Sequence, residues 1–125
     1  MQKRYLALTD IEAYKSTLSL SNYVWKIVDK WPYFTKNTIG KQFVNAVDSI
    51  SANVAEGFGR YGKKDKIKFY YYSRGSAKEA SDWNEKANAR GLLTQEEYIF
   101  INNVLQETPK KLHSLIRFTK DRLVT

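Results

Sequence analysis

The stretch that decides the fold is SISANVAEGFGRYGKK, residues 49–64. Up to its first glycine, four apolar residues recur at helical intervals of three and four: Phe43, Val47, Ile50 and Val54. Lysines and a second periodic segment follow its last glycine. The stretch therefore predicts the end of one helix, a glycine-rich corner and the start of another helix. We expect Gly57 or Gly59 to end the first of these helices in a left-handed conformation.

The glycines of residues 57–62 spell G-x-G-x-x-G, which is also the fingerprint of dinucleotide-binding folds. That fingerprint requires a strand before the glycines and a helix that opens on them. The helical spacing before Gly57 contradicts this context. A protein-kinase glycine loop would need later H-R-D and D-F-G motifs, which the sequence lacks. The pattern is therefore interpreted as a turn between two helices.

Periodicity and end signals predict two helices before this corner. The first begins at Thr9 as N-cap, with Glu12 completing a capping box, and is ended by Pro32. Its expected core residues are Ile11, Tyr14, Leu18, Val24, Trp25 and Val28. The second helix spans about residues 38–58, and residues 33–37 are expected to form a connection.

Two further helices follow the corner. The third begins near Lys64 or Asp65 and ends at Arg90, because Gly91 is a typical C′ residue. The fourth opens with a capping box from Thr94 to Glu97. Pro109, inside its apolar pattern, is expected to kink or break it. Its expected core residues are Tyr98, Ile101, Leu105, Leu112, Leu115 and Ile116.

Short connections between long amphipathic helices favour antiparallel neighbours. The predicted fold class is therefore all-α, an up-down-up-down antiparallel four-helix bundle. Its 125 residues are enough for one hydrophobic core, and we expect residues 1–125 to form a single domain.

Small residues predict a close contact between the second and third helices. One face of the second helix carries only small or polar residues: Ala46, Ser49, Asn53, Glu56 and Gly57. Glycine inside a helix costs about 1 kcal/mol relative to alanine, so Gly75 should have a packing role. We expect Gly75 and Ser76 to lie against this small face. Glu56 is expected to be partly buried and to bond across the gap together with Asn53.

The charge is distributed unevenly along the chain, whose net charge is +8. Residues 60–78 hold a single acidic residue, Asp65, and seven basic ones: Arg60, Lys63, Lys64, Lys66, Lys68, Arg74 and Lys78. Tyrosines 61 and 70–72 are interleaved with them. Basic groups neutralise phosphates and exposed rings stack on unpaired bases, so this segment predicts binding to an RNA or DNA backbone. Residues 110–122 form a second basic segment.

The residues that could carry other chemistry are few. The chain has no cysteine, and its one histidine, His113, lacks the partners that a zinc or di-iron site needs. No G-x-S-x-G elbow is present, and catalysis by Glu56 or His113 is disfavoured. We expect no enzymatic activity, no cofactor and no metal. No apolar run approaches the roughly 20 residues of a membrane span, and we expect a cytoplasmic protein.

The sequence resembles a known family over about residues 23–116. The positions that carry the resemblance are Gln42, Ala46, Ser49, Ile50, residues 53–57, Gly59, Arg60, Phe69, Gly75, Ser76, Glu79 and residues 91–93. They are similar in order and spacing to the bacterial "four helix bundle protein" family. Members are often encoded in intervening sequences of large-subunit ribosomal RNA genes and were labelled ribosomal-protein-like for that reason. Asn45 departs from the family pattern, which usually has arginine there.

The resemblance implies a four-helix bundle assembled as a homopentameric ring, without implying an activity. The family is also similar to the accessory variability protein of diversity-generating retroelements, a basic ring that associates with a reverse transcriptase and nucleic acid. The leading hypothesis is thus a non-enzymatic homo-oligomer that binds nucleic acid, with a nucleic-acid-processing protein as a further partner. The alternative is a protein-interaction or scaffold module. Its basis is the acidic character of residues 79–109, which suits docking to basic segments.

Overall fold

The computed structural model describes residues 6–122, and within this range it contains four long helices and no strand. The helices are α1 (Glu12–Val28), α2 (Lys41–Gly59), α3 (Lys63–Ala89) and α4 (Gln95–Arg122). Helix α1 packs against α2 and α4, and α3 packs against the same two helices. The predicted all-α fold class is confirmed, and the arrangement fits an antiparallel four-helix bundle.

The ends of α3 and α4 agree with the sequence signals. Gly91, just after α3, has a φ of 70°, the left-handed conformation expected of a C′ glycine. At the start of α4, the Thr94 N–H donates to Glu97 Oε1 at 2.8 Å, and the Glu97 N–H donates to Thr94 Oγ1 at 3.1 Å. This reciprocal pair is the predicted capping box.

The predicted start of α1 is wrong. A 3-10 turn, Leu8–Asp10, precedes the helix, and Ile11 occupies the N-cap position without a side-chain cap. The Ala7 N–H donates to Asp10 Oδ2 at 2.9 Å. The carboxylate that caps a backbone N–H here is therefore that of Asp10, in the 3-10 turn. Glu12 forms an ion pair with Lys15 instead.

The connection predicted at residues 33–37 is also helical. A helical turn, Tyr33–Thr35, runs into a π-turn, Lys36–Gly40, which continues directly into α2. A Cβ atom added at Gly40 would lie 2.8 Å from Val28 Cγ1, so a glycine is needed where this segment crosses the end of α1. The sequence signal was missed because the segment lacks an apolar period of its own.

The core forms two clusters along the bundle. The larger one contains Val28, Ile39, Phe43 and Leu93, and the smaller one surrounds Tyr70 at the other end, near the corner. Most predicted core positions are buried, but Leu18 is 41% exposed and Trp25 is 58% exposed. In α1 the buried positions are Ala13, Thr17, Leu20, Ser21, Val24 and Val28, so the core face is rotated toward smaller residues than predicted.

Close contact between α2 and α3 occurs at Gly57, away from the predicted partner Gly75. A Cβ atom added at Gly57 would lie 2.7 Å from Tyr70 Cε1 and 2.9 Å from the Lys66 carbonyl oxygen. Ser73 Oγ donates to the Ile50 carbonyl oxygen at 2.7 Å and ties the same two helices together. Gly75 is exposed with no atom within 4 Å of an added Cβ, and Ser76 is only half-buried. The packing role predicted for these two residues is therefore wrong within this chain.

The predicted bond of Asn53 and Glu56 across the helices is wrong as well. Asn53 Nδ2 donates to the Ser49 carbonyl oxygen of its own helix at 2.8 Å. Glu56 is exposed, and its carboxylate accepts a hydrogen bond from Arg60 Nε at 3.2 Å. Gly57 lets α3 approach on one side of α2, and Glu56 faces solvent because adjacent helical residues point in different directions.

Pro109 does not break α4, which is one helix from Gln95 to Arg122. Thr108 Oγ1 donates to the Val104 carbonyl oxygen at 2.8 Å. Packing of the buried Leu105 and Leu112 on either side of Pro109 holds both halves of the helix against the core.

Substitution of the two helical glycines by alanine should have opposite effects. Gly57→Ala should lower the free energy of unfolding by about 1–3 kcal/mol, because the new methyl group overlaps the Tyr70 ring and a backbone carbonyl. Gly75→Ala, the matched control, should raise it by about 0.5–1 kcal/mol, because its methyl group enters open space in a helix. Urea unfolding followed by circular dichroism measures both. Equal effects of the two substitutions would contradict this packing.

Tyr70 should make the stability depend on alkaline pH. Burial raises the pKa of the Tyr70 phenol from 10.0 to about 12, and a hydrogen bond with Thr119 opposes this shift. Since the folded state holds the neutral phenol, this stability is fully present below pH 10 and is lost as the pH rises toward 12. Urea unfolding across this range should show a steeper loss in the wild type than in Tyr70→Phe. Parallel pH profiles would show that Tyr70 is not the group responsible.

Candidate nucleic-acid interface

The corner between α2 and α3 is a short extended connection of three residues, numbers 60–62. Helix α2 ends at Gly59, and Arg60 follows with φ −76° and ψ 151°. Among residues 6–122 the one glycine with a positive φ is Gly91, so the left-handed helix end predicted at Gly57 or Gly59 is wrong. Gly62 is the N-cap of α3 and provides no side-chain cap. The first turn of a long helix therefore presents free N–H groups at the corner.

Two of the seven predicted phosphate-binding residues hold helix ends in place. Lys66 Nζ donates to the carbonyl oxygen of Phe58, in the last turn of α2, at 2.6 Å. Lys63 Nζ donates to the carbonyl oxygen of Lys120, in the last turn of α4, at 2.9 Å. Each ammonium group lies at the negative end of a helix, where a cation is stabilising. Partial burial disfavours the charged form of Lys66 and therefore lowers its pKa.

Two more of the seven residues form a paired cluster on the side of α3. Arg60 lies between Glu56 and Asp65, with its Nη1 3.7 Å from Asp65 Oδ2. Lys68 Nζ is 3.3 Å from Asp65 Oδ1. Both cations also lie over the ring of Phe69, at 4.5 and 5.2 Å from its centroid. These exposed pairs leave part of each positive charge available to solvent.

Arg74 and Lys78 lie farther along α3, away from the corner. The rise of an α-helix places Lys78 about 22 Å from Lys63. Both side chains line an open groove between α3 and α4, together with Asp82 and Glu85. The Arg74 guanidinium lies 4.9 Å from the centroid of the Tyr71 ring. The seven residues predicted as one site therefore do not form one compact patch.

The structure instead joins the corner to the end of α4. The hydrogen bond from Lys63 to Lys120 brings the second basic segment beside the first turn of α3. We use the term corner surface for the exposed residues Arg60, Tyr61, Lys64, Lys120 and Arg122. Within residues 6–122, no acidic group lies within ion-pair distance of Lys64, Lys120 or Arg122. The sequence signal for this surface was the charge of residues 110–122, but its position depended on the antiparallel topology.

Neither a metal cluster nor a membrane-spanning helix is found in the part of the chain that the structure describes. No group of three or more His, Cys, Asp or Glu side chains there could hold a metal ion. None of the helices there is both long enough and apolar enough to cross a bilayer.

Comparison with the sequence profiles of protein families assigns the chain to one of them. The sequence profile described as "23S rRNA-intervening sequence protein" matches residues 9–114. The chain belongs to this family. The match confirms the family predicted from the residues around the corner, and it includes α1, α2, α3 and most of α4. The corner surface lies partly outside it, because Lys120 and Arg122 follow the matched range.

A solved crystal structure shares the fold of this intervening-sequence protein. It is that of a protein of unknown function from the S23 ribosomal protein family of Bacteroides thetaiotaomicron, at 1.70 Å resolution. The TM-score is 0.74 at 24% sequence identity, over 84% of this chain and 98% of that chain. The comparison with functionally curated proteins finds no match. The likeness therefore shows the fold of the intervening-sequence protein and no activity.

Substitution of Lys66 and of Lys64 should distinguish a cation that stabilises the fold from one that is only exposed. Lys66→Met should lower the free energy of unfolding by about 1–2 kcal/mol, because the Phe58 carbonyl loses a charged donor. Lys64→Met should leave it nearly unchanged, since the Lys64 ammonium is exposed without an ion-pair partner among the described residues. Urea unfolding of the two variants tests this difference. An equal loss for both would show that the hydrogen bond to Phe58 contributes nothing.

Proposed function

We propose that this intervening-sequence protein is a non-enzymatic, homo-oligomeric helical bundle that binds the backbone of RNA or DNA through its corner surface. The observation that carries the proposal is the convergence of two basic segments at one end of the bundle. The hydrogen bond from Lys63 to Lys120 joins these segments. Seven basic and three acidic residues lie between positions 56 and 68 of the corner and in the last turn of α4, residues 120–122. This excess of positive charge suits a polyanion.

The chemistry of the surface favours binding to phosphates without base-specific reading. Lysine ammonium groups act as point charges that neutralise phosphates, and this interaction weakens steeply as salt concentration rises. The free N–H groups at the start of α3 add a favourable environment for an anion. In contrast, Arg74 and Lys78 share their groove with carboxylates and contribute less to the proposed site. We therefore propose the first part of the 60–78 segment and the end of α4 as the site, in place of the whole 60–78 segment.

Charge reversal at the corner surface should weaken nucleic-acid binding. The variant Lys64→Glu with Lys120→Glu should bind a labelled RNA about ten-fold or more weakly at low salt. The slope of log K against the logarithm of the salt concentration should become shallower by about one unit for each lost phosphate contact. Filter-binding titrations at several salt concentrations measure both quantities. Lys63 and Lys66 are left intact because their ammonium groups donate hydrogen bonds to carbonyls at the ends of α4 and α2.

The matched control is Lys26→Glu with Lys30→Glu, which changes the net charge equally at the opposite end of the bundle. This control should keep most of the wild-type affinity. Absence of binding by the wild type at low salt would exclude the proposed function. Equal losses in the corner variant and the control would mean that total charge, and not the corner surface, determines binding.

A protein-interaction or scaffold role is the second candidate, and exposed aromatic residues favour it. Trp25, Tyr33 and Phe34 are 58%, 84% and 76% exposed, at the end of the bundle opposite to the corner. Aromatic side chains are enriched at protein interfaces relative to the rest of the protein surface. A nucleic-acid-processing protein would fit this end, which leaves the corner surface open. The ring of five copies implied by the family resemblance is part of the proposal, and the mass of the protein in solution tests that number.

A further inference from the structure

We infer that the corner surface selects single strands, with the ring of Tyr61 stacking on an unpaired base. This inference rests on the proposed function and adds the class of nucleic acid that is bound. It comes from the environment of Tyr61, which is 87% exposed in the connection between α2 and α3. It is the most exposed large apolar or aromatic side chain among the described residues.

The other tyrosines near the corner are less suited to stacking. Tyr70 is 1% exposed and belongs to the core. Tyr71 has the Arg74 guanidinium 4.9 Å from its ring centroid, and Tyr72 makes an edge contact with Phe69 at 5.4 Å between centroids. Within residues 6–122, no aromatic ring or cation lies against the ring of Tyr61. Tyr61 therefore presents a ring that no intramolecular partner occupies.

The glycines near Tyr61 face open space. Gly59 and Gly62 lie two residues before and one residue after Tyr61. A Cβ atom added at either glycine would find no atom within 4 Å. A base that approaches the Tyr61 ring would thus meet no neighbouring side chain at these two positions. The open space is at the connection itself, where the chain passes from α2 to α3.

Basic residues lie before and after Tyr61 along the chain. Arg60 precedes it, and Lys64 is exposed in the first turn of α3. The last turn of α4, which carries Lys120 and Arg122, lies beside the start of α3 because Lys63 donates to the Lys120 carbonyl. Phosphates on either side of a stacked base would therefore meet positive charge. An aromatic ring next to a basic surface is the combination that proteins use to bind unpaired strands.

A double helix would interact with the cations of the corner surface but not with the Tyr61 ring. In a duplex the bases are stacked on one another and their faces are covered, so Tyr61 has no partner there. The phosphates of a duplex would still interact with the lysines and arginines. The corner surface should therefore bind single strands more tightly than duplexes, and the excess should depend on the Tyr61 ring.

Substitution of Tyr61 tests this inference on the full chain. Tyr61→Ala should weaken binding of a short oligouridylate about five-fold to one-hundred-fold, the range for loss of one base–aromatic stack. It should change the affinity for an RNA duplex of equal length less than two-fold. Tyr61→Phe should keep the wild-type affinity, because stacking needs the ring and not the hydroxyl group. Fluorescence anisotropy with labelled oligouridylate, oligothymidylate and duplex measures these affinities and compares RNA with DNA.

Tyr33→Ala is the matched control, since Tyr33 is 84% exposed at the opposite end of the bundle. It should leave all three affinities unchanged. Both tyrosines are exposed, so the unfolding curves of the variants should coincide with that of the wild type. Equal binding of single strands and duplexes with no effect of Tyr61→Ala would overturn the inference and leave the proposed function intact. Failure of the wild type to bind either nucleic acid at low salt would overturn both.

Discussion

The contact between Gly57 and Tyr70 is the constraint on which this end of the bundle depends. The Tyr70 ring fills the space that a side chain at position 57 would need, so α2 and α3 approach closely where α2 ends. The same ring is the largest fully buried side chain and packs with Val54, Leu112 and Ile116. One aromatic residue thus connects α2, α3 and α4. The path of the three-residue connection that carries Tyr61 follows from this packing.

Close packing of helix ends creates an electrostatic requirement that lysines satisfy. Helices α2 and α4 both end near the corner and leave carbonyl groups without partners inside the helix. Lys66 and Lys63 donate to such carbonyls at Phe58 and Lys120. Part of the basic segment is therefore used for folding, and Arg60 and Lys68 are paired with carboxylates. Lys64, Lys120 and Arg122 face solvent without acidic partners among the described residues. This division explains why a charge count alone overstates the size of the proposed interface.

Local patterns predicted the helices and several of their ends correctly. The apolar period of residues 43–54, the capping box at Thr94 and the C′ glycine Gly91 each involve neighbours within one helix or turn, so they can be recognised in the sequence. The incorrect predictions concern positions whose burial or packing depends on contacts with residues distant in sequence. Gly75 was expected to pack because glycine is unfavourable in a helix, but the residue that meets a neighbouring helix is Gly57. Trp25 was assigned to the core by its spacing, whereas smaller residues of α1 form the buried face.

The sequence by itself determined the helical class, the family and the presence of two basic segments, because periodicity, motif spacing and charge are properties of the chain. Only the tertiary structure decided which cations remain available. Lys63, Lys66 and Lys64 are close together in sequence and equal in charge. Two of them meet the carbonyl ends of other helices, and the third meets solvent. That difference depends on where α2 and α4 end in space. Residues distant in sequence determine these positions by packing around Tyr70.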